Sequence, residues 1–255
     1  MKAILFACLV LAILGNELHF FHYKDGEIKV NNDAPTKISG PIFLEFLNTR
    51  NFTAVAGLYV KGKTEVSFDF RMKIAKFVNA TNFEIEGECI EGNWGLKPIT
   101  TAGKGKITGT WNSINYESTC ANSDLKMTWS IKAHADAVKC PFYLPAEGAV
   151  KAAMLVGQSA DDYHPVHVLN FGVIGFTYIS GITGCSWYVQ NSKAAKDPKP
   201  GFLIISNEGD YCAIIDKEGD KFIHSNPAKK LVTLTPMSMI KTFFKNGYTF
   251  RDYTC

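Results

Sequence analysis

The residue with the most reactive surroundings is Cys185. Gly181 and Gly184 precede it, and a helix-capable run, Ser186 to Gln190, follows. A thiol at the mouth of a helix feels the positive end of the macrodipole and unpaired backbone N–H groups, which favour the thiolate. A thiolate is the form that attacks a carbonyl carbon. Free cysteine is more often a small buried hydrophobe, so the position alone does not make a nucleophile. A nucleophile of this kind also needs an imidazole. His164 and His167 stand in a loop rich in Asp, His and Pro about twenty residues upstream, and read as solvated loop residues. His224 lies further down the chain, in a strand-like run.

The other cysteines bear on the same thiol. Of seven in the chain, Cys8 falls in a leader-like segment, which leaves Cys89, Cys120, Cys140, Cys185, Cys212 and Cys255. An even number in an oxidising compartment invites disulfides. Cys89 and Cys120 share the β-rich first half, and Cys140 and Cys255 bracket the second. Pairing within each of these sets leaves Cys185 and Cys212 as thiols.

The elements that position these residues fall into two halves. From about residue 28 to 137 the pattern has period two, clearest in Thr64 to Phe70 and Asn82 to Glu86. Further strand candidates are 41–47, 53–60, 105–111 and 125–133, with Gly, Asn and Lys-Gly turns between them. Such a series predicts an antiparallel β-sandwich or barrel. Trp94, Trp111 and Trp129 read as core in so small a β domain, although aromatic residues also line sugar-binding faces. Lys139-Cys140-Pro141 marks the junction. Beyond it come a helix at Glu147 to Gln158 and strands at 202–206, 211–215, 221–224 and 231–234. A helix at Pro236 to Lys245 and a last strand at Tyr248 to Tyr253 complete an α+β domain. The expected division is 1–15 leader, 16–138 β-rich domain and 139–255 α+β domain.

The second half resembles the NlpC-type cell-wall cysteine peptidases of the papain-like superfamily. Tyr178 to Gln190, with Gly184-Cys185-Ser186, is similar to their nucleophile region, and Cys185-Ser186-Trp187-Tyr188 is similar to the motif of the related CHAP amidases. Lys199 to Ile205 is similar to the family's Pro-Gly-Asp-apolar strand, and Ala213 to Ser225 to its hairpin ending in Phe-Ile-His-Ala. The resemblance implies a papain-like domain acting on peptide or amide bonds of peptidoglycan, with Cys185 as nucleophile and His224 as the residue that orients the base. With one extra residue in the hairpin turn, Tyr211 falls where the family has its base histidine. A neutral phenol, with an ordinary pKa of about 10, accepts protons poorly. The usual Asp before the nucleophile is replaced by Gly184, and Trp187 stands at a position that is usually glycine. Cys212, next to Tyr211 on a strand, points to the opposite face and is expected as a buried thiol. Hydrolysis is therefore expected to be impaired or lost, leaving a domain that binds a peptide or glycopeptide. The alternative is an active cysteine peptidase or amidase with Cys185 as nucleophile and His224 as base.

The N-terminus is consistent with that setting. Lys2 precedes an apolar run, Ala3 to Gly15, that reads as a secretory signal and is too short to span a bilayer. No later run reaches the roughly 20 apolar residues of a spanning helix. The protein is expected outside the cytosol, secreted or in the lumen of the secretory or endolysosomal pathway. Asn51-Phe52-Thr53 and Asn79-Ala80-Thr81 are glycosylation sequons. A net charge of +3 with no basic stripe argues against a nucleic-acid partner. No residue pattern calls for a cofactor or a metal.

Overall fold

Among the described residues, eighteen strands and a few short helices make this an α+β protein built of antiparallel sheets in the computed structural model. The structure describes residues 17–38, 41–46, 54–60, 66–72, 74–77, 82–89, 91–94, 97–139, 142–175, 179 and 181–254. The leader-like segment, both sequons and Cys140–Cys255 lie outside the described residues. The chain divides into two compact units, Met1–Pro141 and Phe142–Cys255.

The first unit holds β1 (Glu17–Val30), β2 (Thr36–Lys37), β3 (Pro41–Phe46), β4 (Ala54–Val60), β5 (Val66–Met72) and β6 (Ile74–Phe77). It continues with β7 (Asn82–Glu88), β8 (Glu91–Trp94), β9 (Lys97–Thr100), β10 (Ala102–Thr110), β11 (Ser113–Asn122) and β12 (Met127–Ala137). Nine strands follow the order β5-β4-β3-β1-β12-β11-β10-β7-β6, with β2 beside β1, while β8 and β9 form a separate pair. Alternation decides the faces. Ile114, Tyr116 and Cys120 of β11 and Trp129, Ile131 and Ala133 of β12 turn into the core, whereas Glu117 and Lys132 turn out. Trp129 is core as expected, Trp111 is partly buried against the core cluster with its ring on Phe83 and His19, and the side chain of Trp94 lies outside the described residues. Cys89 and Cys120 are bonded, with Cα atoms 6.0 Å apart.

The second unit begins with α1 (Pro145–Ala153), α2 (Pro165–Ile174) and α3 (Ser186–Gln190). Pro at the first helical position starts both longer helices, and Gly175 ends α2 in the left-handed conformation with its N–H on Asn170 O and Phe171 O. Gly148 and Gly172 let these helices touch, because a Cβ on either would fall 3.0–3.1 Å from the carbonyl oxygen of the other. The sheet comprises β13 (Lys193–Ala195), β14 (Leu203–Ser206), β15 (Cys212–Ile215), β16 (Lys221–Asn226), β17 (Leu231–Pro236) and β18 (Tyr248–Asp252), in the order β13-β18-β14-β15-β16-β17. The helix expected over Pro236 to Lys245 is a 3-10 turn, Met237–Met239, followed by α4 (Ile240–Phe243).

The two faces of this sheet carry different layers. Ile214 contacts α2, where its Cδ1 lies 3.1 Å from the Cβ position of Gly172. Cys212 shares this face, two residues away on the same strand. Phe202, Ile204, Ala213, Ile215 and Phe222 pack on the other face against Ile240 and Phe244, with Tyr211, Phe243, Tyr248 and Phe250 around them.

Candidate functional site

Cys185 caps α3 and is buried, 1 % exposed. A five-residue helix has too few hydrogen bonds to stand on its own, so its neighbours hold it. Tyr188 Oη donates to Asn170 Oδ1 of α2 at 2.7 Å. Arg251 of β18 grips the C-terminal end, with Nη2 donating to Val189 O at 2.5 Å and Ser192 O at 2.7 Å and Nε to Ser192 Oγ at 3.1 Å. The N-terminal end is held covalently: Cys185 is bonded to Cys212, with Cα atoms 5.9 Å apart. This corrects the expectation of two thiols. A sulfur in this bond carries no thiolate, so in this form Cys185 has no nucleophile to offer.

Cys212 does point away from Tyr211, as strand alternation requires. The error lay in placing Cys185 on Tyr211's side. The helices cover the face that Cys212 and Ile214 share, and α3 brings Cys185 to that face. Tyr211 and His224 meet on the other one. The three residues read as a single constellation thus divide, with Cys185 on the helix side and the Tyr211–His224 pair on the aromatic side.

The Tyr211–His224 pair is a closed network. Tyr211 Oη donates to Ser225 O at 2.6 Å and lies 2.6 Å from His224 Nδ1. Since the phenol has one proton, that proton goes to the carbonyl, and Nδ1 must carry its own proton and donate to Oη. Nε2 is then the acceptor, and it meets Thr235 Oγ1 at 2.8 Å and Thr233 Oγ1 at 3.1 Å. Both ring nitrogens are engaged, and His224 is 0 % exposed. Burial, helped by the charge of Lys229, holds its pKa down at about 4, so the ring is neutral near pH 7. Burial also raises the Tyr211 phenol above its ordinary value. The rings of Phe243 and Phe222 lie 4.4 and 4.8 Å from the imidazole. This arrangement suits a core polar network better than a proton shuttle, and sequence reading missed Thr233 and Thr235 because their β17 spacing carries no chemical signature.

His164 and His167 sit at the start of α2 with rings 5.4 Å apart, and His167 Nδ1 is 3.4 Å from Asp162 O. No group of His, Cys, Asp and Glu among the described residues could hold a metal ion. A groove of about 620 Å³ on the first unit is lined by Glu86, Lys104, Lys106, Glu117 and Lys132. Its charges answer one another across the strands, with Lys106 3.4 Å from Glu86 and Lys132 3.5 Å from Glu117, as on an ordinary solvated sheet face.

Comparisons of the chain with protein-family models, curated proteins and solved structures return no match.

Proposed function

We propose that the second unit is a papain-like domain of the NlpC type that has lost hydrolysis and binds a peptide or glycopeptide of the bacterial cell-wall kind. The protein carrying it is secreted or held in the lumen of the secretory or endolysosomal pathway. The observation that carries this reading is the Cys185–Cys212 bond. It joins the head of α3, where the resemblance implies the nucleophile, to the head of β15, the strand that the resemblance gives to the base. The order of a helix headed by cysteine followed by an antiparallel sheet supports the fold part of the reading. Two disulfides and the absence, among the described residues, of a helix long and apolar enough to cross a membrane are consistent with its location.

Protein incubated with peptidoglycan is expected to release no stem peptides detectable by mass spectrometry, yet to bind soluble muropeptides in calorimetry. Tyr211→His is expected to leave turnover at zero, because position 211 faces the aromatic layer and not Cys185. Stem-peptide release by the wild type would establish the alternative, an active peptidase or amidase. Turnover gained on Tyr211→His would show that the two faces are assigned wrongly, and no muropeptide binding would remove the ligand class.

A further inference from the structure

Between Ile182 and Tyr188, which are 1 % and 0 % exposed, Cys185 is the only buried residue. Thr183 and Ser186 are exposed, and Gly184 and Trp187 are partly so. Cys212 is different: it is 0 % exposed, sits within the sheet, and pairs with Ile205. A surface turn, Asn207 to Asp210, lies against the residue after Cys185, where a Cβ on Gly209 would be 3.0 Å from Ser186 Cβ. One sulfur is thus attached to a short segment whose neighbouring residues are exposed or half-buried, and the other to a strand paired along both edges. Residues 183–186, between buried Ile182 and the ring contacts of Trp187 with Phe142 and Tyr188, are the part whose movement would uncover the first sulfur. Openings of this kind cost less than global unfolding.

We propose that Cys185–Cys212 is an exchangeable disulfide, opened by thiols at Cys185 while the unit stays folded, in contrast to a structural Cys89–Cys120. The thiolate of a dithiol attacks the Cys185 sulfur, forming a mixed disulfide and releasing the Cys212 thiolate, which takes up a proton. The second thiol of the reductant then displaces Cys185, so two electrons pass to the protein and the reductant leaves as its cyclic disulfide. Neither Cys120 nor Cys89 sits on such a segment: β11 is paired along both edges, to β10 and β12, and Cys89, although 3 % exposed, is tied to β10 by its N–H on Gly103 O at 3.0 Å. One consequence rests on the reading of the site given above: the bond holds the head of α3 shut, and the reduced form takes its peptide ligand more tightly than the oxidised form.

The test treats the full-length protein with dithiothreitol under native conditions, quenches with iodoacetamide and maps each cysteine over time, with circular dichroism in parallel. Labelling of Cys185 and Cys212 more than about tenfold faster than that of Cys89 and Cys120, with the spectrum unchanged, is the expected result. Glutathione in place of dithiothreitol should be trapped on Cys185. Equal rates at both bonds, labelling only as the spectrum collapses, or glutathione trapped on Cys212 would each overturn the proposal. Muropeptide titration of both redox forms is a separate arm. Fast labelling with no binding by either form would remove the ligand reading and leave the exchangeable bond standing, whereas equal binding by both forms would remove the gating consequence.

Discussion

Replacing Gly201 with alanine is expected to cost about 2–5 kcal/mol, a large part of the stability of an ordinary domain. Gly201 has φ +79°, a left-handed conformation that an L side chain adopts only at a cost. An added Cβ would also lie 1.9 Å from Pro145 O and 2.1 Å from its carbonyl carbon, and that neighbour is backbone, which cannot swing aside. The contact is a seam: Pro145 opens α1, and Gly201 leads into β14 while donating its N–H to Ile215 O at 2.9 Å. It therefore helps to fix the helix layer on the sheet face where Cys185 meets Cys212. Gly219→Ala is the control. Its φ of +84° carries the same conformational cost, but its Cβ would meet Pro200 Cγ at an ordinary 3.5 Å. Urea unfolding of both variants should show Gly201→Ala as clearly the weaker protein. Equal losses would mean that the close approach to Pro145 is not a feature of the molecule.

A second large effect is expected from acid. The His224 pKa is about 4 in the folded protein against an ordinary value of about 6.5, because burial disfavours the imidazolium. The unfolded chain therefore binds more protons than the folded one between these values, and stability rises with pH there. The neutral ring's contribution is complete above about pH 6.5 and is lost as pH falls towards 4, by an amount that reaches up to about 3 kcal/mol. His224→Gln, which keeps a polar side chain without a titrating one, should be less stable than the wild type at pH 7.5 and lose less on acidification to pH 4.5. Stability curves of the two proteins measured at both pH values would show this. Parallel acid losses would place the sensitivity elsewhere.

The parts of the fold that were legible in the sequence are those whose residues declare a single environment. Leu203 to Ser206 and Cys212 to Ile215 are short apolar runs bounded by turn residues, and they are strands buried on both faces. The helix α1 was visible through its alanines, although it ends at Ala153, short of the Gln158 expected. The helix α2 was not visible. From Val168 to Ile174 every residue is buried, so no polar stripe marks a period of 3.6, and the segment read as loop. Strand β11 was overlooked because Ser, Asn, Glu and Thr dominate its outer face, although Ile114, Tyr116 and Cys120 mark its inner one.

At the candidate site, sequence identified Cys185 as the head of a helix and joined Tyr211 to His224, and the structure has both features. What it did not reveal is which face of the sheet each belongs to. Strand alternation fixes Cys212 relative to Tyr211, but only tertiary packing fixes α3 relative to either. The one available signal was arithmetic: once Cys89–Cys120 is set apart, an even number of cysteines in an oxidising compartment leaves a partner for Cys185.

The account turns on that bond, and a non-reducing tryptic map of the purified protein reads it directly. Cleavage at Lys151, Lys193, Lys196 and Lys217 places Cys185 and Cys212 on separate peptides, 152–193 and 197–217, since Pro200 protects Lys199. After alkylation of free thiols without reductant, the account predicts one species with the summed mass of these two peptides, which separates into its halves on reduction. Peptides 152–193 and 197–217 recovered singly, each carrying one alkyl group, would contradict it and return Cys185 to the standing of a free thiol at the head of a helix.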